Sequence, residues 1–346
     1  MPFRAGRFVS FLHHPGHSGA MFTSENNRVI RDTGARYPVF QAPMAWIARA
    51  PLVSAVSVAG GIGLLESSSR DAAVLRRELA AVRSVTDRPF GINLAIKFLR
   101  GNEELEREVL ELVVNSGVRL VTTSAGDPKR YAQRLKAAGI LIYHAVPSLE
   151  GALKAVDAGV DGLIVEGGES AGIRGAEPVH SLVLLQAIRE RVDLPIVAAG
   201  GMVDGRGMAA AFALGAEGIA MGTRFVASIE SPVHEHYKQA IVTALPNGTL
   251  SLPFPPGATS RVLKSDLARS VASGECAPGR AQDIVRDLYM GGRTDLALGS
   301  AGESAGLVHD IKSVQDIIDD TVSGFWRELD RLAALRGGRP STMNPQ

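Results

Sequence analysis

Short apolar stretches alternate with amphipathic stretches between Tyr37 and Phe225. The apolar stretches are rich in Val, Ile and Leu and are continuous, which is typical of buried parallel strands. The segments between them repeat apolar residues at i, i+3 and i+4, which predicts helices, and several of these end in Gly. The apolar stretches number eight and cover residues 39–44, 61–68, 90–96, 118–126, 140–146, 162–168, 194–201 and 218–223.

Eight alternations of strand and helix predict a parallel sheet with right-handed crossovers. A closed (β/α)8 barrel and an open doubly wound sheet both fit this pattern. The count of eight favours the barrel. The first apolar stretch is followed by APMAWIARAPLVSAV, which lacks the G-x-G-x-x-G typical of an open dinucleotide-binding sheet. We therefore predict an α/β protein with a (β/α)8 TIM barrel.

The domain organisation follows from where the alternation of predicted strands and helices starts and stops. The barrel is expected over 25–225, and the Pro-, Ser- and Gly-rich residues 226–305 are expected to form a smaller, mostly helical cap inserted after the eighth strand. Strong helical periodicity predicts that 306–336 returns to the barrel as its last outer helix. Residues 1–24 and 337–346 are expected to be tails, the first disordered. Met21 is an alternative to Met1 as the start.

Composition excludes several classes of protein. Lys and Arg total 37 against 36 for Asp and Glu, a net charge of +1, so we expect neither nucleic-acid binding nor binding to an anionic membrane. We find neither the apolar core of a secretory signal nor an apolar stretch that spans a bilayer, and we expect a cytoplasmic protein. With Cys276 as the single cysteine, neither an intrachain disulfide nor a Cys-based metal site can form.

Candidate chemistry lies at the carboxyl ends of the predicted strands, where barrel enzymes place their sites. The seventh and eighth stretches end in AAGG and MGT, which place Gly200–Gly201 beside Gly222–Thr223. Loops after these two strands commonly hold a phosphate, although glycines there can also serve only as turns. A phosphate at this place usually belongs to a cofactor, and flavin mononucleotide (FMN) fits. Met44 and Asn93 would then lie against its ring.

These motifs resemble the nitronate monooxygenase / 2-nitropropane dioxygenase family of FMN-dependent barrels, which includes NADH:quinone reductases. The resemblance covers residues 37–335 and rests on PVFQAPM, AGGIGLLE, RPFGINL, GVDGLIVEGGESAGIRG, LPIVAAGGMVDGRGMAAAFALGAEGIAMGTRF and TDLALGSAGESAGL. It implies FMN bound without covalent attachment. The implied cofactor-binding positions are Ala42, Pro43, Met44, Asn93, Ala145, Glu166, Ala171, Gly172, Ala199, Gly200, Gly201, Met221, Gly222 and Thr223.

One position departs from the family pattern. The family reads E-A-G-G-H-x-G after the sixth strand, whereas this chain reads ESAGIRG and has Ile173 in place of the histidine. The resemblance makes that histidine a base for neutral nitroalkanes or a residue that orients substrate, and isoleucine can do neither. A preformed nitronate needs no base, and Arg174 either pairs with such an anion or points to solvent. His144, at the end of the fifth strand, is an alternative catalytic group.

The leading hypothesis is FMN-dependent oxidation of alkyl nitronates by O2 to a carbonyl compound and nitrite. The missing histidine favours an alternative, an NAD(P)H:quinone or enoyl reductase, in which NAD(P)H is a co-substrate. A third hypothesis is a non-redox phosphate-binding barrel that uses Lys97 or the pair Glu166 and Glu169. All three act on a small molecule. The first two use O2 or a quinone as acceptor, and a homodimer is left open.

Overall fold

The computed structural model describes residues 22–254, 257–277, 285–295 and 297–335. An eight-stranded parallel sheet has the order β1-β9-β8-β6-β5-β4-β3-β2. Phe40 in the first strand bridges Ile62, just before the second, and nearly closes the sheet into a barrel. The predicted (β/α)8 barrel is confirmed. Its strands are β1 (Val39–Gln41), β2 (Gly63–Glu66), β3 (Phe90–Ala95), β4 (Leu120–Ser124), β5 (Leu141–Val146), β6 (Gly162–Glu166), β8 (Ile196–Ala199) and β9 (Gly218–Met221).

Helices separate the barrel strands, and several begin at a residue whose side chain accepts hydrogen bonds from the first turn. Asp71 accepts from the amides of Ala73 and Val74 in this way. The helices are α1 (Arg28–Thr33), α2 (Ala50–Val58), α3 (Ala72–Val85), α4 (Ile96–Leu99), α5 (Glu103–Val114), α6 (Lys129–Ala137), α7 (Leu149–Asp157), α8 (Ser181–Arg189), α9 (Gly205–Ala213), α10 (Thr223–Val226), α11 (Glu235–Val242), α12 (Asp266–Ala272), α13 (Val285–Gly291) and α14 (Val314–Ala334), with a 3-10 helix at Glu303–Leu307.

The barrel strands are buried on both faces. Phe40, Leu64, Tyr143, Ile164 and Val197 pack together inside the barrel. The residues that alternate with them, such as Val121, Ile142 and Leu163, pack in the layer between the sheet and the helices. This alternation decides which strand-end side chains reach the mouth of the barrel and which face the helices.

The opposite end of the barrel is closed by α1. The hydroxyl of Tyr143 donates to Asp32 at 2.9 Å inside the barrel. Arg28 pairs with Glu217 just before β9, with Nη2 2.5 Å from Oε1. Because this end is filled, a ligand has access to the interior from the carboxyl ends of the strands.

The cap contains a sheet that the sequence analysis did not predict. Strands β7 (Gly172–Gly175), β10 (Thr249–Phe254) and β11 (Ala258–Leu263) form an antiparallel sheet in the order β10-β11-β7. The first of these comes from the loop after β6, so the cap joins that loop to the later segment. Local periodicity could not reveal this pairing, because β7 and its partner are about 85 residues apart and β7 has two glycines among its four residues.

The first of the described residues packs on the C-terminal helix. The Phe22 ring centroid is 5.4 Å from that of Phe325 and 5.2 Å from that of Trp326, so the chain packs on α14 before residue 25. The predictions for 1–21 and 337–346, including the alternative start at Met21, lie outside the described residues. Within the described part of the chain, no helix has both the length and the apolar character needed to cross a bilayer.

Candidate active site at the barrel mouth

The two predicted glycine turns lie side by side, because β8 and β9 are neighbours in register. Gly200 and Gly201 have φ values of +93° and +76°, the left-handed region that favours glycine. A Cβ at Gly200 would lie 3.0 Å from the Gly167 carbonyl oxygen, so this turn has no room for a side chain. No residue in the described ranges accepts a hydrogen bond from the amide of Gly201 or Gly222. These turns therefore offer unpaired amides in a cradle that fits a phosphate.

Thr223 links this cradle to the C-terminal part of the chain. Its side-chain oxygen accepts a hydrogen bond from the amide of Gly302 at 3.0 Å, and its hydroxyl hydrogen remains free to donate. The amide of Glu303 donates to the carbonyl of Glu169 at 2.8 Å, which brings the loop after β6 to the same place. Gly302 and Glu303, from the late part of the chain, thus form a wall of the site. Gly302 was not among the predicted site residues.

Side chains that face inward from the strand ends form the floor of the mouth. Each lies two residues beyond a buried interior residue, towards the carboxyl end of its strand. Several of them are small or polar. Met44 overlies the β9 turn from the loop after β1, since its sulfur lies 3.7 Å from the position of a Cβ at Gly222. The inward residues are Glu66, Asn93, Thr122, Ala145, Glu166 and Ala199.

Asn93 is held in a fixed orientation. Thr122 on the neighbouring strand donates its hydroxyl to Oδ1 of Asn93 at 2.9 Å, and Nδ2 of Asn93 donates to Ser124 at 3.3 Å. The amide group is buried but lies at the last inward layer. Asn93 was predicted as a contact for the flavin ring, whereas Thr122 and Ser124, which orient it, were not. The signal for them was the run of polar residues at the end of the fourth strand.

Glu66 and Arg49 form a buried ion pair that the sequence analysis also missed. Nη2 of Arg49 is 2.8 Å from Oε1 of Glu66. Oε2 of the same carboxylate accepts from the Ser68 hydroxyl at 2.5 Å and from the Ser69 amide at 3.0 Å. Glu66 is therefore held by Arg49 through Oε1 and by its own loop through Oε2. The glutamate at the end of the second strand was the only signal for this pair.

Glu166 and Arg174 face each other across the sixth strand end. Nη1 of Arg174 is 3.1 Å from Oε1 of Glu166, and Nη2 donates to the carbonyl of Ala171 at 2.5 Å. Arg174 is only 5% exposed. The predicted alternatives for Arg174 need correction, because it neither points to solvent nor stands as an unpaired cation for a nitronate. Pairing and burial place it in the wall of the site.

Ile173 lies on β7, opposite Ser260 of β11, and is 43% exposed. The position of the family histidine is thus on the cap sheet, next to Gly172 and within the same loop as Ala171. An isoleucine at this place contributes an apolar surface and no proton transfer.

His144 does not face the mouth, and its assignment as a catalytic group is corrected. The residues on either side of it, Tyr143 and Ala145, belong to the barrel interior, so His144 points outward to the helices. Its Nδ1 is 2.8 Å from the Thr123 hydroxyl. Burial lowers the pKa of His144 from 6.5 to about 4. The neutral imidazole is a satisfied polar group behind the barrel wall.

Glu169 serves as a helix cap. Both carboxylate oxygens accept from the Ser181 amide at 3.0 Å, and Oε2 also accepts from the Ser181 hydroxyl at 2.8 Å. The charge therefore lies at the N-terminus of α8, where it is stabilised. The acid–base pair with Glu166 that a non-redox barrel would need is not formed by these two side chains.

The family model for nitronate monooxygenase matches residues 26–324. The chain belongs to the nitronate monooxygenase family. It is accordingly an oxidoreductase, and the resemblance found in the sequence is confirmed.

Individual relatives cover most of this chain. It is similar to (3aS,4S,5R,7aS)-5-hydroxy-7a-methyl-1-oxo-octahydro-1H-indene-4-carboxyl-CoA dehydrogenase of Mycobacterium tuberculosis, at 31% identity over 87% of this chain and 96% of that protein. It is also similar to a probable nitronate monooxygenase of Staphylococcus haemolyticus, at 27% identity over 72% of this chain and 81% of that protein. Among solved structures, FabK from Thermotoga maritima superimposes with a TM-score of 0.83 and 36% identity, covering 89% of this chain and 99% of FabK.

Proposed function

We propose that this protein is an FMN-dependent oxidoreductase that transfers hydride between the flavin and an organic substrate, with an acyl-CoA thioester or NAD(P)H as the hydride partner. The single observation that carries the proposal is that the inward side chains at the strand ends, among the described residues, include no unengaged proton acceptor. Ile173 replaces the family histidine, His144 faces the helices, and the two inward glutamates are each paired with an arginine. Hydride transfer from NAD(P)H to the flavin removes no proton from carbon and so needs no protein base. Reduction of an enoyl thioester then balances when the hydride goes to the β-carbon and a proton from solvent goes to the α-carbon.

The residues at the mouth fit FMN. The amides of Gly201 and Gly222 would hold the phosphate, and Thr223 would donate its hydroxyl to it. Asn93 would present its fixed amide to the polar edge of the ring, while Met44 would form an apolar wall. When bound, FMN supplies the ability to accept and to release a hydride.

The site walls orient the substrate and limit its contact with water. Ala145 and Ala199 have short side chains on the inward layer and so leave volume for a ring above them. The β7–β11 sheet extends from the loop after β6, and Ile173 gives that sheet an exposed apolar side chain. Arg174 holds Glu166 against the wall, which keeps the carboxylate from turning freely into the substrate volume.

A thioester substrate is favoured by the relative of 31% identity whose name describes a carboxyl-CoA dehydrogenase and that matches this chain over 87% of its length. The test begins with the absorption spectrum of the purified protein, which we expect to show bound flavin. In anaerobic stopped-flow experiments we expect fast bleaching of the flavin by NADPH or NADH, followed by return of its colour when an enoyl-CoA is added. A colourless protein that cannot be reconstituted with FMN would contradict the proposal.

Nitronate oxidation by O2 to a carbonyl compound and nitrite is the second candidate. It is favoured by the family model that matches residues 26–324. A preformed nitronate needs no base, so Ile173 does not exclude it. Anaerobic bleaching by a nitronate but not by NAD(P)H, together with nitrite release in air, would favour this candidate over the first.

A further inference from the structure

A second cavity lies beside the mouth, at the carboxyl ends of β3 and β4. Its volume is about 690 Å³, within the range of about 300–1,000 Å³ found for small-molecule sites. The cationic residues Lys97, Arg100, Lys129 and Arg130 line it together with Asp127. Because Asn93 and Ser124 belong to the same two strand ends, a ligand in this cavity lies next to the predicted ring site.

The cavity carries excess positive charge. Arg130 is neutralised by Glu106, with distances of 2.5 and 2.8 Å between their side chains. No carboxylate in the described part of the chain lies within 4 Å of the charged nitrogens of Lys97, Arg100 or Lys129. The carboxylate of Asp127 accepts from the backbone amide of Lys129 at 2.9 Å. Three exposed cations thus line the cavity without an ion-pair partner among the described residues, which suits a ligand with several negative charges.

An aromatic ring lies near one of the cations that line this cavity. Nζ of Lys97 lies 6.0 Å from the centroid of Phe254, at the tip of the β10–β11 hairpin. Phe254 is half-buried. A flat apolar face next to a cluster of cations matches a nucleotide, whose base can stack while its phosphates pair. A free inorganic phosphate would use only the cations.

We propose that this cavity binds the phosphorylated adenosine diphosphate end of the substrate, while the reactive end lies at Asn93. Lys97, Arg100 and Lys129 pair with the phosphates, and Phe254 contacts the adenine. The inference rests on the proposed function, because both a CoA thioester and NADPH carry this group. It extends that function by assigning residues that select a phosphorylated nucleotide over one that lacks the extra phosphate.

The test uses the FMN-loaded protein and calorimetric titration with CoA, dephospho-CoA, NADP+ and NAD+. The pocket variant carries Lys97→Gln, Arg100→Gln and Lys129→Gln. A matched control carries Arg77→Gln, Arg107→Gln and Arg191→Gln, which remove the same charge from exposed positions outside the cavity. We expect Kd in the pocket variant to rise about ten-fold or more, a loss that shrinks at high salt, and the control to match the unchanged protein.

The ligand whose binding weakens in the pocket variant identifies the molecule that carries the adenosine diphosphate group. Weaker binding of CoA assigns the cavity to the thioester substrate, and weaker binding of NADP+ assigns it to NADPH. Phe254→Ala is a second variant, expected to weaken these nucleotides but not inorganic pyrophosphate.

Equal binding of both ligands to the pocket variant and the unchanged protein would overturn the inference, as would no binding of either to the FMN-loaded protein. The flavin spectrum is recorded in every sample, so a failure to hold FMN is scored separately and counts against the proposed function.

Discussion

Arg174 and Glu166 form an ion pair in the wall of the mouth, in which 3% of the arginine side chain and 35% of the glutamate side chain are exposed. The two residues lie eight positions apart, on either side of the glycine-rich loop between β6 and β7. The pair therefore fixes that loop against the barrel. The ion pair also determines which charged groups of the wall face a bound substrate.

Replacing Arg174, the buried member of this ion pair, should destabilise the protein. Arg174→Met leaves Glu166 and the carbonyl of Ala171 without their donors, and we expect the free energy of unfolding to fall by about 2 kcal/mol. Urea denaturation measures it. The control is Arg206→Met, which breaks an exposed pair with Asp204 and should change stability by about 0.5 kcal/mol or less. Equal losses in the two variants would contradict this view of the pair.

The cradle can be tested by a substitution that affects one glycine. Gly201→Ala places a side chain at φ +76°, which costs about 1–2 kcal/mol and turns the amides away from the phosphate. Gly139→Ala imposes the same strain at φ +72°, in open space after α6, on the side of the barrel opposite the mouth. We expect the two variants to lose similar amounts of stability. Only Gly201→Ala should also bind FMN more weakly, by about ten-fold or more. Fluorescence titration of the apoprotein with FMN measures it, and equal FMN affinities would argue against the cradle.

His144 predicts a pH dependence of stability. Its pKa is about 4 in the folded protein, because of burial, and about 6.5 in the unfolded chain. Between pH 4 and pH 6.5 the unfolded chain binds a proton that the folded protein does not. The contribution of the neutral His144 to the free energy of unfolding is therefore fully present above pH 6.5. It is lost as the pH falls towards 4, by as much as about 3 kcal/mol. In His144→Asn this loss should be smaller, and kcat should be unchanged. Urea midpoints at pH 7 and pH 5 measure the first effect, while a collapse of kcat would mean that His144 serves catalysis.

Ile173→His restores the family residue. If the side chain reaches the substrate, the variant should oxidise neutral nitroalkanes faster, by up to about 100-fold, because a general base is supplied. Nitrite release at pH 8 is the measurement, and Ile173→Asn, polar but without a base, is the control. Equal rates in the two variants and the unchanged protein would mean that this loop position does not face the flavin.

Much of the barrel was readable from sequence because its signals are local. Most of the buried parallel strands are apolar stretches with a glycine nearby in the chain, and the period of the intervening helices is visible within a few residues. The glycine turns at 200–201 and 222–223 could be placed side by side in the same way, because parallel strands end at one edge of the sheet. The cap sheet could not be predicted from the sequence, because β7 and β11 are short and lie far apart in the chain.

The eight strands, the helices between them, the family and the pair of glycine turns could all be read from local patterns of residues. The tertiary fold settles which strand-end side chains face the mouth, because a shift of one residue along a strand moves a side chain to the other face. It placed His144 behind the wall, joined Arg174 to Glu166, and brought Lys97, Arg100 and Lys129 together around one cavity. These relationships depend on contacts between distant segments, which no local pattern of residues records.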